Sequence, residues 1–207
     1  MILRARADAL ASAGFDLGEE ELRAMSGMHS SDVYGGIADR LGKPMPADIR
    51  ERFRIAFRTR IERGLPPIDG VRELIESLRV PFCIASNGSY AFMEMTLAAA
   101  GLSEIVAGRI VSADDVARPK PFPDLFLLAA HRFDAYPAGC LVVEDSIPGV
   151  TAAGAAGMKV FGFAGAQHCG PDHADALLAA GASAVCATMA ELSARLRGHG
   201  LAAAAPT

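Results

Sequence analysis

The stretch CLVVEDSIPGVTAAGAAGMKVFGF, residues 140–163, decides the fold. Cys140 to Val143 is a short apolar run that reads as a fully buried strand. PGVTAAGAAGM, 148–158, reads as a helix, and KVFGF, 159–163, as a second strand. Strand, helix and strand in close succession build a parallel sheet. The first strand ends in two adjacent carboxylates, Glu144 and Asp145. Charges at the mouth of a core need a neutralising partner, so this strand end is the first candidate for a site.

The alternation continues on both sides. VPFCIAS, 80–86, and GRIVS, 108–112, read as strands, and a last short one lies in SAVCA, 183–187. Helical spacing runs through YAFMEMTLAAAGL with a stop at Gly101, through PDLFLLAAHRF, through PDHADALLAAG and through MAELSARLRG. Asp69 is placed to cap a helix carrying Val71, Leu74, Ile75 and Leu78. The implied fold class is α/β, a parallel sheet with helices on both faces. In such sheets ligands bind at the carboxyl ends of the strands. Three places qualify: Ser86-Asn87, the loop after Ser112, and Glu144-Asp145.

The N-terminal part reads differently. Leu3, Ala7, Leu10 and Ala11 follow helical spacing, as do Val33, Ile37 and Leu41 after a cap at Ser30 or Ser31, and Ile49, Phe53, Ala56 and Phe57. GLPPIDG, 64–70, breaks the pattern with Gly and paired Pro. The expected organisation is a helical domain over 1–65, an α/β core over 66–200 and a disordered tail over 201–207. Arg50, Arg52, Arg54, Arg58, Arg60 and Arg63 crowd the last helix of the first domain and read as a solvated face.

Composition narrows the function. Of 207 residues, 51% are hydrophobic and 21% charged, as in a folded domain. A net charge of −4 gives no electrostatic case for nucleic acid or an anionic membrane. No apolar run approaches the roughly 18 residues that span a bilayer, and MILRARADAL lacks the apolar run of a secretory signal. The expectation is a cytoplasmic monomer. Cys83, Cys140, Cys169 and Cys186 form no C-x-x-C pair and read as reduced.

The three strand ends carry compatible chemistry. Glu144 and Asp145, with Ser146 opening a helix, make a hard-oxygen site suited to Mg²⁺, which takes few protein ligands and completes its octahedron with water and phosphate. IASNGS, 84–89, breaks at Ser86 and Asn87 into a helix start, where a hydroxyl, an amide and backbone N–H groups can hold an anion. Lys120 sits between Pro119 and Pro121, whose rings restrict the backbone around a positive charge. Metal, anion hook and fixed cation describe a phosphoryl-transfer site. AGAQHCGPDH, 164–173, holds two histidines and a cysteine, but at a spacing unlike typical zinc sites, and reads as a surface loop.

These residues resemble the haloacid dehalogenase-like (HAD) hydrolase superfamily, in its β-phosphoglucomutase-like and phosphoglycolate phosphatase-like branch. IASNGS is similar to the second family motif, KPFPDLFLLAA to the third and VVEDSIPGVTAAGAAGMKVFGF to the fourth. The resemblance implies a Rossmann-like core with a helical cap, and a Mg²⁺-dependent phosphatase of a small phosphorylated metabolite such as a sugar phosphate. Ser86 and Lys120 would be catalytic, Ser86, Asn87 and Lys120 would bind phosphate, and Asp145 with Glu144 would bind the metal. SGMHSSD, 26–32, resembles the cap loop that faces substrate, which points to Gly27 and His29. Alternatives are a phosphomutase of the β-phosphoglucomutase type and a non-catalytic phospho-ligand binder.

The chain departs from the family in three ways, the loop AGAQHCGPDH, 164–173, being one. Pro119 stands where these sequences often have Gly. The first motif, a central strand ending Asp-x-Asp that supplies nucleophile and general acid/base, has no counterpart here. The expectation is a sheet with two interior edges, a chain inactive as it stands, and roughly twenty residues missing before Met1.

Overall fold

The computed structural model describes residues 2–24, 30–62 and 64–203. The helical part comprises α1 (Ile2–Ser12), α2 (Glu19–Ala24), α3 (Ser30–Leu41) and α4 (Ile49–Ile61). Its apolar stripes meet in one cluster around Leu10, Phe15, Val33 and Ile37. Each such side chain contributes about 1.5–3 kcal/mol when removed from water. The arginine-rich face of α4 is largely paired on the surface: Arg52 with Asp48, Arg54 with Glu51 and Arg60 with Asp8 of α1. Arg63 lies outside the described residues.

The α/β part alternates: α5 (Val71–Ser77), β1 (Ile84–Ser86), α6 (Tyr90–Ala99), β2 (Ile110–Ser112), α7 (Asp124–Arg132), β3 (Leu141–Glu144), α8 (Ile147–Ala155), β4 (Lys159–Phe163), α9 (His173–Ala179), β5 (Ala184–Cys186) and α10 (Met189–Gly198). One sheet face carries Val142 and Val160 against Phe126, Ala152, Ala153 and Leu177 from α7, α8 and α9. The other carries Phe161 and Phe163 against Leu74 of α5 and Leu192 and Leu196 of α10. Gly162 is required in β4, because a Cβ there would meet Val185 at 2.9 Å and Leu177 at 3.1 Å. The two parts join through aromatic rings: Phe57 of α4 lies 4.8 Å from Phe92 of α6, and Phe53 stacks on Phe57 at 5.7 Å.

All strand pairs are parallel, but among the described residues they form two sheets. β1 pairs with β2, in register Ser86 to Ser112. β3 pairs with β4, Glu144 to Gly162, and β4 with β5, Phe163 to Cys186. β1 and β3 each keep one edge without a described strand partner.

Four details differ from the sequence reading. The strand expected over 80–86 is ordered as β only from Ile84, where the Ile84 N–H meets the Arg109 carbonyl at 2.7 Å; Pro81 lacks a donor for earlier pairing. Asp69 does not cap α5: Gly70 does, at φ +82°, a left-handed geometry that suits glycine. The run 140–143 is not buried throughout, since Val143 is 41% exposed at the edge of its sheet. Residues 201–203 are not a free tail. Ala202 is buried and bridges to Leu78, and the Ala203 N–H bonds the Ser77 carbonyl at 2.8 Å. The small side chain of Ala202 lets the segment close over the α5–α10 core; residues 204–207 lie outside the described residues.

Candidate active site

Short strands deliver three loops to one end of the α/β part. After β1 the chain turns on the Ser86 hydroxyl, which accepts the Gly88 N–H at 3.1 Å, and Ser89 caps α6 by accepting the Phe92 N–H at 3.3 Å. After β2, Ser112 is fully buried, donates its hydroxyl to the Gly88 carbonyl at 2.8 Å and starts a capped 3-10 turn at Ala113–Asp115. After β3, Ser146 caps α8 by accepting the Gly149 N–H at 3.1 Å.

Lys120 ties these loops together. The Asn87 side chain clamps its backbone from both directions: Oδ1 accepts the Lys120 N–H at 2.9 Å and Nδ2 donates to the Lys120 carbonyl at 3.0 Å. The Lys120 ammonium is 5% exposed as a residue, bonds the Ala85 carbonyl of β1 at 3.0 Å and pairs with the Glu144 carboxylate of β3. Its charge also lies 4.6 Å from the Phe126 ring centre. A buried ammonium survives only with such partners. Lys120 reaches these partners with Pro119 before it, and the Lys120–Pro121 peptide is cis. A cleft of about 350 Å³ opens beside this loop, and Asp32 of α3 is among its lining residues.

The two carboxylates have different roles. Both Glu144 oxygens are committed: Oε1 to Lys120, Oε2 to the Ser146 hydroxyl at 2.9 Å and the Ser146 N–H at 3.3 Å. Glu144 thus fixes the Lys120 ammonium through Oε1. Asp145 has 45% of its side-chain surface open to solvent. Desolvation, and then the Glu144 charge, push its carboxyl above the usual range, while His168 and Lys120 pull it back. A hard cation at Asp145 would relieve both penalties. One partly exposed carboxylate at a strand end fits Mg²⁺, which needs few protein ligands.

Of the residues singled out from sequence, Ser86, Asn87, Lys120 and Glu144 are joined by direct or one-residue contacts, and Asp145 lies at the same strand end as Glu144. Gly27 and His29 lie outside the described residues. Sequence reading missed two features. Gly149 must be glycine, because a Cβ would overlap the Glu144 carboxylate; its position one turn into a helix that starts beside two acids was the available signal. His168 and His173 reach Asp145: the first lies 3.6 Å from its Oδ2, the second 2.7 Å from its carbonyl oxygen. Their place just after the β4 strand end was visible, but the contact depends on how that loop folds back.

Comparison with known proteins is consistent across sequence and structure. A family model for haloacid dehalogenase-like hydrolase matches residues 46–157. A haloacid dehalogenase-like protein of unknown function from Agrobacterium tumefaciens is 35% identical, with a TM-score of 0.80 over 96% of this chain and 91% of that one. A HAD family hydrolase from Deinococcus radiodurans, solved with bound phosphate and sodium, is 32% identical, with a TM-score of 0.75 over 97% of this chain and 90% of its own. The 6-phosphogluconate phosphatase of Escherichia coli is 30% identical over 116 residues, covering 56% of this chain and 52% of that enzyme. The chain spans about half or less of the length of the curated relatives it matches. Among the described residues no helix is long and apolar enough to cross a membrane. With a family model matching residues 46–157 and a parallel-strand core and helical part superposing on solved relatives, the chain belongs to the haloacid dehalogenase-like hydrolase family.

Proposed function

We propose that this protein is the framework of a Mg²⁺-assisted phosphatase acting on a small phosphorylated metabolite such as a sugar phosphate. The observation that carries the reading is the buried Lys120 ammonium, held by Asn87 and Glu144 where three strand-end loops meet. Lys120 supplies a fixed positive charge to the phosphoryl group. The Ser86 hydroxyl and the backbone N–H groups after β1 orient its oxygens. Asp145 is the residue that would hold Mg²⁺, which supplies charge neutralisation and in-line orientation of the phosphate. Residues 1–65 act as a cap over the 66–200 core and exclude water from the cleft beside Asp32. The protein works as a cytoplasmic monomer.

Phosphoryl transfer to the enzyme also needs a nucleophile, and no carboxylate of the described residues stands in an Asp-x-Asp strand end. We infer that the 207 residues alone have no turnover. The edges of β1 and β3 that lack a partner among the described residues support a sixth parallel strand between them, ending in Asp-x-Asp beside Lys120.

The test is phosphate release from a panel of phosphate esters with Mg²⁺. Two proteins are compared: the 207-residue chain, and the same chain preceded by an in-frame strand ending Asp-x-Asp. Release only by the extended form supports both proposals. Turnover by the 207 residues alone overturns the second. A folded extended form inert toward every small ester overturns the first.

A further inference from the structure

The loop between β4 and α9 places a second, chemically different donor set against the candidate active site. We propose that His168, Cys169 and His173, with Asp145 as the fourth group, bind a borderline-soft divalent ion of the Zn²⁺ class. One ligand atom from each of His168, Cys169 and His173 lies within 4.8 Å of the other two. Cys169 Sγ is 3.9 Å from His168 Nε2, and His168 Nε2 is 3.6 Å from Asp145 Oδ2. In a tetrahedral site with Zn–S of about 2.3 Å and Zn–N or Zn–O of about 2.0–2.2 Å, neighbouring ligands stand roughly 3.3–3.6 Å apart. Two edges of such a tetrahedron are thus already near length, and the other distances among His168, Cys169 and His173 are within 4.8 Å.

The loop is shaped to hold these groups. The Cys169 N–H bonds the Ala166 carbonyl at 2.9 Å and the His173 N–H bonds the Gly170 carbonyl at 3.1 Å. Two successive tight turns thereby bring His168 and His173 together, with their rings edge to face at 5.9 Å. His173 Nε2 sits 2.7 Å from the Asp145 carbonyl oxygen, which leaves Nδ1 as the ring atom able to ligate. A carbonyl on the other ring nitrogen is the arrangement that fixes a metal-binding histidine's tautomer and orientation. An ordinary surface loop accounts for the His168–Asp145 approach but not for a thiol and a second imidazole converging on it. Thiolate and imidazole ligands also separate this site from the oxygen-only preference of Mg²⁺.

The test is a Co²⁺ titration of the metal-free, reduced 207-residue protein, followed by absorption. The expected result is saturation at one ion per chain, with visible d–d bands of tetrahedral intensity and a near-ultraviolet thiolate-to-cobalt band, both removed by Zn²⁺ at far lower concentration than by Mg²⁺. Cys169→Ser should abolish the thiolate band, and Cys140→Ser should keep it. His168→Ala and His173→Ala should each weaken binding by roughly tenfold or more, at least the loss seen on removing an outer-sphere partner. Absence of the thiolate band in the unmutated protein, or its persistence in Cys169→Ser, would overturn the proposal. Because no step needs turnover, the outcome is independent of whether the protein is a phosphatase.

Discussion

Gly149→Ala tests the inner architecture of the site. In an exposed helix this change stabilises by up to about 1 kcal/mol. At position 149 the new Cβ overlaps the Glu144 carboxylate, so Glu144 must move. It cannot move freely: the residue is 8% exposed, and its oxygens serve Lys120 and Ser146. Loss of one or two hydrogen bonds to a charged group costs about 1.5–3 kcal/mol each. After the helix gain, the expected net loss is about 0.5–5 kcal/mol. Gly154→Ala is the control, since it lies in the same helix and its Cβ would meet nothing within 4 Å. Urea unfolding followed by circular dichroism reads both. With a slope near 2 kcal/mol/M, a loss of 2 kcal/mol moves the midpoint down by about 1 M, while Gly154→Ala should move it slightly up. In a Glu144→Ala background, Gly149→Ala should lose its cost, because the colliding carboxylate is gone. A Gly149→Ala protein as stable as the unmutated one would refute the claim that Glu144 is held where the structure puts it.

Three further outcomes follow from the same contacts. Lys120→Met alone strands a buried carboxylate and should cost about 3–5 kcal/mol in urea unfolding, whereas Lys120→Met with Glu144→Leu should recover most of it; equal losses would show that the pair is not coupled. The Asp115 carboxyl is held below its ordinary value by the Tyr90 hydroxyl at 2.6 Å, with the Ser112 N–H and Arg132 adding to this. A lowered carboxylate stabilises above the unfolded value of 3.8 and loses that contribution as pH falls through the folded value, so Asp115→Asn should flatten the acid fall of stability below about pH 4, and an unchanged acid limb would remove Asp115 from the account. In a catalytically complete form, Zn²⁺ occupying the loop site takes Asp145 from Mg²⁺; inhibition by Zn²⁺ should therefore weaken in Cys169→Ser, measured by phosphate release at fixed Mg²⁺, and equal inhibition in both proteins would separate the loop from the active site.

The sequence made the order of elements legible because strand and helix periodicities differ and Gly or Pro marks most boundaries. It located Lys120, Asn87 and the Glu144-Asp145 pair, since strand ends in a parallel sheet share one rim. It did not separate Glu144 from Asp145. Adjacent residues on a strand point to opposite faces, and which one turns inward depends on what waits there: here Ser146 and Lys120 from another loop. Asn87 looked like an anion ligand because amide chemistry is visible in sequence. That its amide also holds the Lys120 backbone depends on a contact across 33 positions. The His168–Cys169–His173 cluster was hidden for a related reason, because spacing along the chain says little about a loop whose turns fold it back on a neighbouring strand end.

The break between the two sheets gives Lys120 a second meaning. The Ala85 carbonyl sits on the edge of β1 that has no strand partner among the described residues, and in a continuous sheet an N–H of the neighbouring strand would satisfy such a carbonyl. Here the Lys120 ammonium does so at 3.0 Å while pairing with Glu144 across the break. One side chain thus satisfies a β1 edge acceptor and a buried β3 carboxylate, each of which would otherwise cost about 1–3 kcal/mol or more. On the proposed reading, a strand entering between β1 and β3 takes over the Ala85 carbonyl and releases one ammonium N–H toward the acid at its own end. The bond that steadies Lys120 in the open sheet is then the one it exchanges for the nucleophile, with the Glu144 pair and the Asn87 clamp unchanged. This exchange keeps the cation in place without requiring the core to repack.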